Sequence, residues 1–209
     1  MSESAWLLER LPAGHHGLSP GLVGENQRAR LTAAAAESLA AHGYGAITVT
    51  DVVKRAGVST STFYKRFDDL WDCLAAAYEA GAERLCGEIE GACPDAEAGI
   101  EAALALLAAE PPLAHLLSAE PPSQATALTA VRAHLVERLA NLLRSARTDR
   151  DGSARARQRF RPDSDRNLYR AAQLVAGALA LVAMRTRAEG AERLPGLAPT
   201  LTGILLTRP

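Results

Sequence analysis

A chain of 209 residues that is 48% hydrophobic has enough apolar material for one large domain or two small ones with a real core, which excludes a disordered tail or linker. A formal net charge of −1 excludes a protein that coats nucleic acid or anionic membrane over its whole surface, and leaves a local patch as the route to such a partner. Aromatic residues are only 4% and Ala and Leu dominate, so an all-α fold is expected.

Residues 1–24 are dense in Gly and Pro without a sustained period and read as an N-terminal arm with at most one short helical piece. From Asn26 to His42, Leu31, Ala34, Ala35, Ser38 and Leu39 recur at helical spacing, and Gly43 supplies a stop. Thr48 and Asp51 then have the spacing of a capping box, opening a second helix over Val49–Ala56. Gly57, Val58 and Ser59 make a very short turn, and Ser59 can cap a third helix through about Arg66. Asp69 and Asp72 repeat the capping spacing and open a long helix over about Leu70–Gly91. Three helices in so short a stretch, the last two joined by a tight turn, form a small orthogonal unit.

Beyond Pro94 the breakers divide the chain into a helix over 95–110, a short one from Pro111, and a long one over about Pro122–Arg147. That long helix carries Leu128, Val131, Leu135, Leu139, Leu142 and Leu143 as a stripe. Residues 148–162 are polar and Arg-rich and read as a solvated, mobile loop. Another long helix follows over about 163–188 and a last one over 195–208, giving about nine helices and no strand. The longest nearly apolar stretch, Leu174–Met184, is shorter than the roughly 20 residues of a membrane span, and the N-terminus lacks the order of a signal peptide. A cytoplasmic protein with no membrane partner is expected. Cys73, Cys86 and Cys93 are odd in number and form no C-x-x-C pair, so they read as small buried hydrophobes; no metal and no cofactor is expected.

The segment "GVSTSTFYKRF", residues 57–67, carries the chemistry. Phe63 and Phe67, four apart, can turn inward with Val58 anchoring the turn. That leaves Thr60, Ser61, Thr62, Tyr64, Lys65 and Arg66 outward: short hydroxyls, a phenol and cations, a composition suited to the second helix of a helix-turn-helix in a DNA major groove.

Residues 26–74, and above all "GYGAITVTDVVKRAGVS" followed by "TFYKRF", resemble the N-terminal domain of tetracycline-repressor (TetR) type transcriptional regulators. The preceding "LPAGHHGLSPGLVGENQRAR" resembles an N-terminal extension of actinobacterial members. The resemblance implies an all-helical homodimer that binds a double-stranded DNA operator through residues 25–69, with residues 70–209 forming an effector-binding and dimerisation domain. It assigns Thr48 and Thr50 to phosphate, Thr60, Ser61 and Lys65 to base edges, and Thr62 and Tyr64 to the backbone. One departure stands out: Leu70 occupies the place where the family often has a phosphate-binding Lys, with Asp68 and Asp69 beside it.

No catalytic motif occurs in residues 75–209, so the protein is not expected to be an enzyme. The helices over about 163–208 are the dimerisation candidates, apolar nearly all round and carrying Ala172, Ala176, Gly177 and Ala180 for close approach. Tyr78, Leu107, His115, Leu116, Leu135, Tyr169 and Gln173 are expected around a pocket for a small, mostly apolar effector. The expected function is therefore a ligand-responsive regulator, most often a repressor in this family. A constitutive DNA binder without effector and a helical interaction module that has lost DNA binding are the alternatives.

Overall fold

The computed structural model describes residues 19–150 and 164–206, which hold nine α-helices and no strand. They form two compact units: residues up to Glu79 with Pro121–Thr129, and Ala80–Glu120 with the residues from Ala130 onward.

In the first unit, α1 spans Pro20–His42. It begins inside the segment read from sequence as an irregular arm, because Ser19 caps it, accepting from the Leu22 N–H at 3.3 Å, and Pro20 sits at the one helical position where a missing N–H costs nothing. Gly21 and Gly24 hide this helix from a reading based on breakers. Leu31, Ala34, Ala35 and Leu39 are its buried stripe. The helix α2 (Val49–Ala56) opens on a complete capping box: the Asp51 N–H donates to Thr48 Oγ1 at 3.3 Å and the Thr48 N–H donates to Asp51 Oδ2 at 3.0 Å. The Thr48 hydroxyl, and secondarily its backbone, holds the Asp51 carboxyl below its ordinary value. Gly57 ends α2 in the left-handed region at φ 63°, where a side chain would be strained. After Val58 and Ser59 the chain enters α3 (Thr60–Tyr64), a single turn whose Phe63 is wholly buried. Asp69 Oδ1, accepting from the Asp72 N–H at 2.8 Å, caps α4 (Leu70–Gly91).

The second unit takes α5 (Ala96–Ala109), α6 (Pro111–Ser118), most of α7 (Thr126–Arg150), α8 (Ser164–Glu189), a 3-10 turn over Ala191–Leu197, and α9 (Ala198–Leu206). α7 reaches Arg150, past the expected start of the Arg-rich loop; the rest of that loop lies outside the described residues. Ala140 and Leu143 of α7 pack on Ala171, Val175 and Leu179 of α8, with Leu205 and Leu206 against them. Arg138 of α7 donates to Glu83 at 2.6 Å and Glu90 at 3.0 Å on α4. Within the unit only one face of α8, through Ala171, Val175, Leu179, Val182 and Ala183, is buried. The stripe Tyr169, Gln173, Ala176, Gly177, Ala180 and Met184 is exposed. By length and composition Leu168–Glu189 would suffice to cross a bilayer, yet its inner face belongs to this core.

Candidate nucleic-acid interface and effector cavity

The turn and α3 present two different surfaces. Inward, the Phe63 ring meets Phe67 at 5.7 Å between centroids and Tyr64 edge-on at 5.3 Å, and Arg28 of α1 lies 4.5 Å over the Phe67 ring. Outward, Thr60, Ser61, Tyr64 and Lys65 are exposed on α3 and Thr50 is exposed on the first turn of α2. The side chains of these five make no hydrogen bond among the described residues, so hydroxyls, phenol and ammonium are free for a partner.

Two other sequence candidates are already engaged. The Thr48 hydroxyl donates to Asp51 at 2.6 Å, and Thr62 Oγ1 lies 2.9 Å from the Ser59 hydroxyl, so both serve the helix caps. Arg66 corrects the outward reading of residues 60–66: it is half-buried, and its guanidinium donates to Gln27 Oε1 of α1 at 3.2 Å. Spacing on α3 could not reveal this, because the partner lies 39 residues away. Leu70 is half-buried at the start of α4, with Asp68 exposed beside it.

Charge in this unit is scarce. Between Ser19 and Glu79 the chain has six Lys and Arg against seven Asp and Glu. Arg28 is stacked on Phe67, Arg30 donates to the Ala56 carbonyl, Arg55 pairs with Glu37 at 3.1 Å, and Arg66 is held by Gln27. Lys54 and Lys65 are exposed and make no hydrogen bond or ion pair among the described residues. If Lys54 alone reaches phosphate in each half of a two-fold complex, log affinity is expected to fall against log salt with a slope of about −2, and of about −4 if Lys65 meets phosphate instead of a base edge. A titration from low to physiological salt measures it, and a slope near −10 would mean that the arginines leave their partners for DNA.

The second unit contains a cavity of about 170 Å³. Leu85 and Ile89 of α4, Leu104 and Leu107 of α5, and Val175 and Leu179 of α8 form part of its wall, to which α7 and α9 also contribute. Among the described residues Cys93 and Ser145 are the only lining side chains with a polar heteroatom. Both are exposed, as is Pro94, and they mark where the cavity meets solvent. Of the residues expected around a pocket, Leu107 lies on this wall, whereas Tyr78, His115, Leu116, Leu135, Tyr169 and Gln173 do not. Tyr78, Leu116 and Leu135 are core, and Tyr169 is 71% exposed. His115 is half-buried, and burial, helped by the Arg187 charge, pushes its imidazole below the usual value. Among the described residues the cavity is lined almost wholly by aliphatic side chains. Cys73 and Cys86 are buried, and burial pushes their thiols up to about 12 and about 11. Cys93 corrects the expectation of three buried thiols.

A capped helix, a tight turn and a second helix bearing free hydroxyls and a cation, joined to a helical unit with an apolar cavity, define a helix-turn-helix DNA-binding regulator. Residues 31–77 match the family model "Bacterial regulatory proteins, tetR family". Residues 31–77 thus carry the DNA-binding domain of that family of transcriptional regulators. Its fold is similar to that of the fatty acid degradation regulator FadR from Bacillus halodurans, at 21% identity over 86% of this chain and 94% of that one, with a TM-score of 0.65. The transcriptional regulator FadR from Bacillus subtilis, solved in complex with stearoyl-CoA, is similar at 18% identity over 85% and 97%, with a TM-score of 0.58. A bacterial regulatory protein in the tetR family from Rhodococcus RHA1 is similar at 17% identity over 88% and 98%, with a TM-score of 0.55. No curated protein matches the chain by sequence.

Proposed function

We propose that the protein is a homodimeric repressor that leaves its operator when an effector with an extended apolar group, an acyl chain, occupies the second unit. The observation that carries this reading is the aliphatic cavity. Its wall favours each buried methylene by about 0.8 kcal/mol. It offers almost nothing to a charged or sugar-like group, which stays at the mouth or in solvent. The stearoyl-CoA complex of the similarly folded Bacillus subtilis regulator supports the same ligand class.

On the DNA side, Thr60, Ser61 and Lys65 read base edges while Thr50 and Tyr64 hold phosphate; Thr48 and Thr62 present the caps of α2 and α3 to the backbone. An effector that prefers the DNA-incompetent arrangement shifts the population towards it, and operator and effector then weaken each other reciprocally. The continuous helix α4, with residues in both units, is the natural lever. The protein acts on chromosomal DNA in the cytoplasm.

The test is to select bound duplexes from a random pool with the purified protein and then to add palmitoyl-CoA, stearoyl-CoA or the free fatty acids. A two-fold symmetric motif, released by an acyl ligand, is expected. Bound ligand with undiminished operator affinity rejects the effector reading, and no enriched motif at low salt rejects the choice of reading residues.

The exposed stripe of α8 supports the homodimer, because small residues with an apolar rim let a partner helix approach closely. Ala180→Glu is expected to give monomers by light scattering and to weaken operator binding at least about 100-fold, since a monomer holds one half-site. A monomeric unaltered protein would reject this surface.

A further inference from the structure

The structure assigns to Arg66 and Gly24 a joint role in aiming the reading helix: Arg66 is a positioning residue clasped by α1, not a phosphate contact. α3 is five residues long, one turn with no lasting stability or direction of its own, so whatever holds its far end sets its angle. That end is held twice. The Arg28 guanidinium donates to the Arg66 carbonyl at 3.2 Å while stacking over Phe67. The Arg66 guanidinium lies against Gly24 and donates to Gln27 at 3.2 Å, with its Nε buried.

Gly24 supplies the room. It is buried, and a Cβ there would lie 2.8 Å from Arg66 Nη2, 2.9 Å from Nη1 and 3.0 Å from Cζ. Any other residue displaces the planar fork rather than the backbone. A glycine in a helix interior is otherwise a poor choice, and here it makes a seat that only a flat guanidinium fills. Gly24 and Gln27 both lie in the first turns of α1, so the part of the helix hidden by its glycines is the part that orients α3.

The experiment uses the full-length protein and the duplex it selects from a random pool. Gly24→Ala, Gln27→Ala and Arg66→Lys are each expected to weaken that duplex about tenfold, the equivalent of one charge-assisted hydrogen bond. The salt slope stays that of the unaltered protein, and Gln27→Ala adds nothing to Arg66→Ala, because the two remove one interaction. Arg66→Lys separates the readings, since it keeps the charge but not the fork. Gly24→Ala guards against simple unfolding, since Ala is the better helix former. Independently of DNA, amide exchange should quicken at Phe63–Phe67 in all three variants while the remaining helices keep their protection.

Wild-type affinity in Arg66→Lys together with a slope shallower by about two per dimer in Arg66→Ala would make Arg66 a phosphate contact and overturn the inference. Unchanged affinity and exchange in Gly24→Ala would overturn it as well. Failure of the unaltered protein to select any motif would instead remove the reading role of α3, and the aiming role with it.

Discussion

Phe63→Ala is expected to cost about 3–5 kcal/mol, the range for removing a buried aromatic ring. The ring has no exposure and packs with Phe67 and Tyr64. A five-residue helix cannot make up the loss from backbone bonds, since so short a helix is held by tertiary packing alone. The first unit has no second aromatic cluster of this kind among its described residues; Tyr44 and Trp71 meet only at 6.3 Å between centroids. Operator binding should therefore vanish at temperatures where the unaltered protein binds fully. The second unit has its own core around Ala140, Leu143 and Val175. Acyl-ligand binding should survive in the variant, and denaturant unfolding followed by two probes should show two transitions. Simultaneous loss of both activities at one midpoint would mean that the units fold only together.

What sequence pattern reveals here is what local chemistry dictates. The Thr48–Asp51 box, the Gly57 stop and the Ser59 cap are contacts over at most four residues, so α2, the turn and α3 are legible in order and nearly in length. The buried pair Phe63 and Phe67 follows from the same spacing. Long-range contacts defeat that reading. Arg66 looks like a free cation until the structure brings Gln27 and Gly24 to it, and Gly24 looks like a helix breaker until Arg66 is seen beside it. The cavity fails for another reason: Leu104, Leu107, Val175 and Leu179 line it, but aliphatic residues in a helical stripe look alike whether they face a neighbour or a void. A search weighted towards His115, Tyr169 and Gln173 looks for polar anchors in a site that has few. α8 carries the remaining lesson. Its composition is apolar nearly all round, yet Val175, Leu179 and Val182 are buried with Ala171, Ala178 and Ala183, while Ala176, Gly177 and Ala180 lie exposed between Tyr169, Gln173 and Met184, a division that mean hydropathy averages away.

Affinity for straight-chain acyl ligands is expected to rise about fourfold with each added methylene, the value of about 0.8 kcal/mol per buried CH₂, and then to level off once the cavity is full. The rise follows from the aliphatic wall, and the levelling from its finite volume of about 170 Å³. Isothermal titration across a series of acyl-CoAs and the matching free acids reads both, and comparing the two series shows whether anything at the mouth recognises the head group. Operator release should follow the same order of chain lengths, because coupling between two ligands is a single free energy seen from either side. Ala178, buried on α8, lies on the wall, and Ala178→Leu extends a side chain into the space the acyl tail would use. The plateau should then arrive about three carbons earlier, with short-chain affinity little changed if the larger residue packs without strain. A variant that weakens every chain length equally would point to a distorted fold instead. An unchanged plateau would show that the acyl chain lies elsewhere, and with it the link between this cavity and the operator would be lost.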